Sequence, residues 1–240
     1  MLFGEYNIRL ILISLFFKGG DKLTTIYLIR HSVRMPISNI ESCNTYQNNV
    51  IRYEKIILNS EGEKRAKLLC EKSELQNIDV LYTSNCVRTL QTEKYMMELQ
   101  KLKANIDERL DERRVGVPNN DLYPDWFERQ YLDENYKTEG GESQKEVRER
   151  IDNIISEILK KYKNKRIAIF THGYAITFYL LKYCKLLSID DKKLKLEFNN
   201  KIVFNKILNA PELFKLEFDN DKLINIELIE FDDIPFNNGI

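Results

Sequence analysis

Thr24-Thr25-Ile26-Tyr27-Leu28-Ile29-Arg30-His31-Ser32-Val33-Arg34-Met35-Pro36 is the stretch on which the reading of this chain turns. Ile26 to Ile29 is a short β-branched and aromatic run, which predicts a buried strand. The run ends abruptly in charge, so Arg30 and His31 fall at the carboxyl end of that strand. Open α/β sheets collect their ligand-binding groups at that edge, because the loops that follow the strands converge there. His31 is one of two histidines in the chain, and the other, His172, follows a second apolar run, Arg166 to Thr171, in the same way.

Strands and helices alternate on either side of this stretch. Ser60-Glu61-Gly62-Glu63 opens a helix with Ala66, Leu69 and Cys70 inward, and Asp79 to Thr83 predicts another buried strand. Ser84 then stands where a helix cap is expected, with Cys86 to Leu99 as a helix facing Leu90, Tyr95, Met96 and Leu99 inward. That places Arg88 in the first turn, close to the strand end. Asp107 to Gly116 is a charged loop, and the segment through Tyr136, which holds the only tryptophan, Trp126, reads as irregular or as a short helix. Ser143 and Glu146 form a capping box ahead of a 3.6-period stripe, Val147, Ile151, Ile154, Ile155, Ile158, Leu159 and Tyr162. Tyr174 to Cys184 predicts a further helix. Leu213 to Phe218 and Leu223 to Ile229 alternate about Asp219-Asn220-Asp221, a hairpin signal. The pattern predicts a three-layer α/β/α architecture with a mainly parallel central sheet that turns antiparallel at its end. Residues 23–240 are expected to form one domain, with a small lid from segments 37–58 and 117–138.

Composition narrows the class. With 43% hydrophobic and 31% charged residues the chain is globular. Its 37 basic and 37 acidic residues balance, which argues against a large nucleic-acid footprint. The four cysteines, Cys43, Cys70, Cys86 and Cys184, are widely spaced and signal neither a zinc knuckle nor a disulfide framework; a reducing, cytoplasmic location is expected. The apolar run Ile8 to Phe17 is shorter than the roughly 20 residues a membrane span needs. It is also followed by no small-residue cleavage site, and no membrane association is expected. Lys18 to Leu23 back-translates into a ribosome-binding sequence ahead of an alternative start codon. Residues 1–22 are therefore read as a non-native leader or, failing that, a short apolar N-terminal segment.

Three strand-to-helix junctions each deliver a group suited to a dianion: Arg30 and His31, Arg88, and His172. Singly these are weak signals, since a lone histidine is commonly structural and an arginine at a helix start is commonly a surface residue. Placed together at carboxyl strand ends they favour a phosphate pocket. Forked guanidiniums can each grip two phosphoryl oxygens, and a neutral imidazole can attack phosphorus to form a phosphohistidine. Nothing in the chain has the spacing of a metal cage, and no cofactor is called for.

These junctions belong to a longer series of landmarks. Arg30-His31-Ser32 resembles the Arg-His-Gly signature of the histidine phosphatase superfamily, the phosphoglycerate mutase-like fold. The series continues with Leu58-Asn59-Ser60-Glu61-Gly62, Tyr82 to Thr92, Leu110-Asp111-Glu112-Arg113-Arg114-Val115-Gly116, Gly140-Gly141-Glu142-Ser143 and Thr171-His172-Gly173. The resemblance implies His31 as nucleophile, Arg30 and Arg88 as phosphate-binding arginines, Glu112 as proton donor to the leaving group, and His172 with Gly173 as the second histidine motif. Two positions depart from the pattern. Ser32 replaces the usual glycine, where its side chain would crowd the phosphate or donate a hydroxyl to it. Val33-Arg34-Met35-Pro36 resembles the acid phosphatase opening, which makes Arg34 a third candidate clamp, while the length of the chain fits the smaller branch. The function implied is a metal-independent phosphomonoesterase acting on a small phosphorylated molecule. A phosphoglycerate mutase-type phosphotransferase and an impaired phospho-ligand-binding module are the alternatives; oligomeric state is not legible.

Overall fold

The computed structural model describes residues 23–36, 54–116 and 125–239. Its core is a six-stranded sheet built from β1 (Thr24–Arg30), β2 (Val80–Thr83), β3 (Ala104–Ile106), β4 (Arg166–Thr171), β8 (Leu213–Asp219) and β9 (Lys222–Ile229), in the order β3-β2-β4-β1-β8-β9. The four strands β3, β2, β4 and β1 run parallel, and the β8–β9 hairpin closes the sheet antiparallel to β1. The helices are α1 (Ser60–Cys70), α2 (Val87–Gln100), α3 (Trp126–Leu132), α4 (Gln144–Lys161) and α5 (Gly173–Leu180). No described helix is long and apolar enough to cross a membrane.

The two-residue period of β1 explains the layers. Ile26 and Leu28 face one cluster, shared with Val147, Ile151 and Ile155 of α4 and with Phe178 of α5. Tyr27 and Ile29 face the opposite cluster, shared with Leu69 of α1 and Met96 of α2. A strand buried on both faces reads as a continuous apolar run, which is the pattern the sequence carries. The capping box at the start of α4 is formed as expected, with Ser143 Oγ accepting from Glu146 N and Glu146 Oε2 accepting from Ser143 N.

Four expectations need correction. Ser84 is not the cap of α2; that position is Cys86, and the Ser84 hydroxyl is used on His172 and Thr89 instead. The buried face of α2 is Arg88, Thr89, Thr92, Glu93 and Met96, while Leu99 is exposed. The helix after His172 stops at Leu180, because residues 185–206 form a second, three-stranded antiparallel sheet that was not foreseen: β5 (Lys185–Asp190), β6 (Lys193–Phe198) and β7 (Lys201–Lys206). It packs Leu194, Leu196 and Phe204 onto the α4/α5 side of the core. β3, likewise not foreseen, occupies the edge beside β2. Of the expected lid segments, residues 37–53 and 117–124 lie outside the described residues, as does the leader 1–22.

Glu93 yields a stability prediction. It is 1% exposed, its Oε2 has no hydrogen-bond partner among the described residues, and burial pushes its carboxyl up to about 8. Between about pH 4.5 and 8 the unfolded chain carries an ionised Glu93 while the folded protein keeps it protonated. The folded state therefore binds more protons, and stability falls as pH rises through this window. Glu93→Gln is expected to match the wild type near pH 4.5 and to exceed it by roughly 4–5 kcal/mol at pH 8.5. Urea unfolding of both proteins across this range checks it; parallel curves count against a protonated Glu93.

Candidate active site

Strand register assembles the site. β1 and β4 are parallel neighbours with Arg30 opposite Thr171, so the residues that follow them, His31 and His172, emerge side by side. His31 N donates to Thr171 O at 2.9 Å, and the two imidazole rings lie 5.2 Å apart, edge to face at 62°. On the other flank of β4, Thr83 of β2 pairs with Phe170, and the chain turns through Ser84 into α2, which carries Arg88.

Hydrogen bonds fix the tautomer of each ring. His31 Nδ1 lies 2.7 Å from Ser32 O; a carbonyl only accepts, so Nδ1 carries the proton and Nε2 keeps its lone pair. Burial, with the guanidiniums of Arg88 and Arg30 beside it, pushes His31 well below the usual imidazole range. Both effects favour the neutral ring, with the proton on Nδ1 and the lone pair on Nε2. His172 is the opposite tautomer. Arg88 donates to its Nδ1 at 2.9 Å, so the proton is on Nε2, which donates to Ser84 Oγ at 2.8 Å. The relay continues from Ser84 to Thr89 Oγ1 at 2.7 Å and from Thr89 to Cys86 O at 2.6 Å. Burial and the Arg88 charge push His172 well below its usual range too.

A cavity of about 700 Å³ opens over this edge. Arg30, His31, Arg34, Arg88, Glu112 and Gly173 are in its wall. His172 and Ser32, both with no exposed surface, stand behind it. Arg30 is fixed by carbonyls, donating to Leu208 O, Asn209 O and Asn238 O at 2.9–3.0 Å, and its buried Nε has no partner among the described residues. Ser32 donates its N–H to Thr92 Oγ1 at 3.0 Å, and its buried hydroxyl has no hydrogen-bond partner among the described residues. Arg34 pairs with Leu58 in an isolated bridge. The Leu58 to Gly62 landmark acquires a physical meaning from this: Asn59 N donates to Val33 O at 3.1 Å, and a Cβ on Gly62 would lie 2.0 Å from that same oxygen. Only glycine lets the start of α1 close on the loop that leaves His31.

Glu112 is held by two residues whose roles the sequence reading missed. Arg150 donates to Arg109 O at 2.7 Å, Asp111 O at 2.9 Å and Glu112 O at 3.3 Å, gripping the loop by its carbonyls. Its other hydrogens meet both oxygens of Glu142 at 2.9 and 3.1 Å. Burial alone would raise the Glu142 carboxyl, but Arg150 and the Arg114 N–H hold it below the usual range. The Gly140 to Ser143 landmark was the available signal, yet nothing in it announced a partner on the next helix. Glu112 Oε1 itself accepts from Arg113 N at 2.9 Å and Ala175 N at 3.3 Å.

Cys86, Asp111 and His172 bring one donor atom each within 4.8 Å of one another. This trio does not suit a divalent cation. Burial pushes the Cys86 thiol up to about 11, so it stays protonated, and the Arg88 cation already occupies His172 Nδ1.

The family model of the histidine phosphatase superfamily (branch 1) matches residues 26–203. The chain belongs to that superfamily. This histidine phosphatase is 30% identical over 158 residues to phosphoserine phosphatase 1 of Hydrogenobacter thermophilus, covering 61% of the chain and 73% of the relative. Among solved structures it is similar to a mycobacterial glucosyl-3-phosphoglycerate phosphatase, with a TM-score of 0.61 and 16% identity over 86% of this chain and 97% of that one. It is also similar to a phosphoserine phosphatase variant of Entamoeba histolytica in complex with phosphoserine, with a TM-score of 0.57 and 15% identity over 88% and 98%. At such identities the likeness to solved structures establishes the fold of the histidine phosphatase.

Proposed function

We propose that this histidine phosphatase hydrolyses small phosphomonoesters, phosphoserine among the candidates, through a phosphohistidine on His31. The observation that carries the reading is the state of that ring: neutral, with Nδ1–H committed to Ser32 O and the Nε2 lone pair available at a wall that also holds Arg30 and Arg88. In the first step Nε2 attacks phosphorus, the N–P bond forms and the ester P–O bond breaks, with both guanidiniums balancing charge on the equatorial oxygens. Glu112, in the same wall, gives its proton to the departing alkoxide. It then takes a proton from the water that displaces His31 from phosphorus, releasing inorganic phosphate. His172 orients Arg88 through the 2.9 Å bond. The unpaired buried thiols Cys70, Cys86 and Cys184 suit a reducing cytoplasm.

Rapid quench with a ³²P-labelled ester tests this. The expected result is an acid-labile, base-stable label that forms and decays within the turnover time. Binding without label supports a phospho-ligand-binding module, and transfer of label to a sugar phosphate supports a phosphotransferase; either outcome removes the hydrolase reading.

A further inference from the structure

The cavity wall carries eight cationic side chains against five acidic ones, more positive charge than one phosphate group uses. Each arginine in that set has a hydrogen-bond or ion-pair partner within the protein. Lys192 has none among the described residues. It is brought to the cavity by the unforeseen β5–β6 hairpin, whose Leu194, buried one residue beyond Lys193, also forms part of the wall. The tip is therefore anchored to the site through β6.

The backbone at Lys192 is a separate observation. Asp190 pairs with Lys193, so the turn has two central residues, Asp191 at φ 40° and Lys192 at φ 66°. Such turns favour glycine or asparagine, because the left-handed region presses Cβ against the following carbonyl. The companion turn of the same sheet obeys the rule with Asn199 and Asn200, at φ 50° and 62°. A lysine has no conformational reason to stand at the tip. Residues held in disfavoured backbone regions cluster at ligand-binding positions, where the side chain repays the strain.

We propose that Lys192 is a specificity-determining residue that pairs with a second anionic group on the alcohol portion of the substrate, a carboxylate or a second phosphate. The proposal rests on the phosphomonoesterase reading above. Lys192 is exposed, so its contact is screened by salt, and a modest, ionic-strength-dependent discrimination is the form its action takes.

The test compares kcat/KM for phosphoserine, for a sugar bisphosphate and for p-nitrophenyl phosphate, the last having no second anion. Lys192→Gln is expected to lower the ratio of doubly to singly anionic substrate about fivefold, mainly through KM, with the loss shrinking at high salt. Lys192→Arg should hold the ratio within about twofold, since it keeps the charge. Lys192→Gly should lower the ratio as Gln does while its Tm is no lower than wild type, because glycine suits the turn. Whether phosphoserine or the bisphosphate loses more identifies the second anion. An unchanged ratio in Lys192→Gln, or an equal fall in Lys192→Arg, overturns the proposal while p-nitrophenyl phosphate turnover leaves the hydrolase reading standing. Turnover of none of the three removes both.

Discussion

His31→Ala is expected to lower phosphatase turnover by at least about 10⁴-fold and to leave the protein folded. The size follows from what is lost. Without Nε2, water must attack the ester directly while Arg30 and Arg88 still hold it, so binding survives and the covalent step disappears. The fold survives because the imidazole contributes one hydrogen bond, to Ser32 O, and an edge contact with His172 at 5.2 Å. Removing these costs about 1–2 kcal/mol, a minor part of the stability of a core this size. Steady-state turnover and thermal unfolding of the variant check both halves. Activity above about one per cent of wild type would require another nucleophile and end the phosphohistidine mechanism.

Glu112→Gln carries the second large effect, and its size depends on the leaving group. An alkoxide needs a proton as the P–O bond breaks, whereas p-nitrophenolate leaves without one. The loss expected is therefore about 10²–10³-fold for an alkyl phosphate and under about tenfold for p-nitrophenyl phosphate in the phosphorylation step. Equal slowing of the two esters, measured as kcat/KM, would show that Glu112 only shapes the cavity. The variant also keeps the backbone clamp intact, because Arg150 grips carbonyls at Arg109, Asp111 and Glu112 rather than the Glu112 side chain. A loss of activity is then not put down to a displaced loop.

Much of this was legible in the sequence, and what was missed has physical causes. β1, β2 and β4 stand out because strands buried on both faces read as unbroken apolar runs. The α4 stripe stands out because its period is sustained and its capping box is explicit. The inward face of α2 was misread because apolar residues were assigned inward. A helix that starts beside polar chemistry buries Arg88, Thr89 and Thr92 instead, the last to hold Ser32 N at 3.0 Å. The sheet β5–β7 was missed although Lys193 to Phe198 alternates and Lys201 to Lys206 carries an Ile-Val-Phe run, on either side of Asn199-Asn200, a two-residue turn signal. Its charged positions, Lys193, Lys195, Glu197 and Lys201, dilute the apolar signal. The Glu142–Arg150 pair was out of reach for another reason: the two lie eight residues apart across a helix start, and only the loop they grip gives them meaning. Of the residues named from the motif, Ser32 and His172 are fully buried and do not line the cavity.

The pairing of Arg30 with Thr171 carries one more implication. Since two neighbouring strands set the spacing of the imidazoles, segments that touch neither those strands nor Ser84, Arg88 and Thr92 are free to grow, shrink or change their chemistry without disturbing that spacing. Evolution can then exchange the parts that touch the alcohol portion of a substrate while the phosphorus-handling atoms stay where the ladder puts them. A lineage built this way would diversify in what it accepts far faster than in what it does.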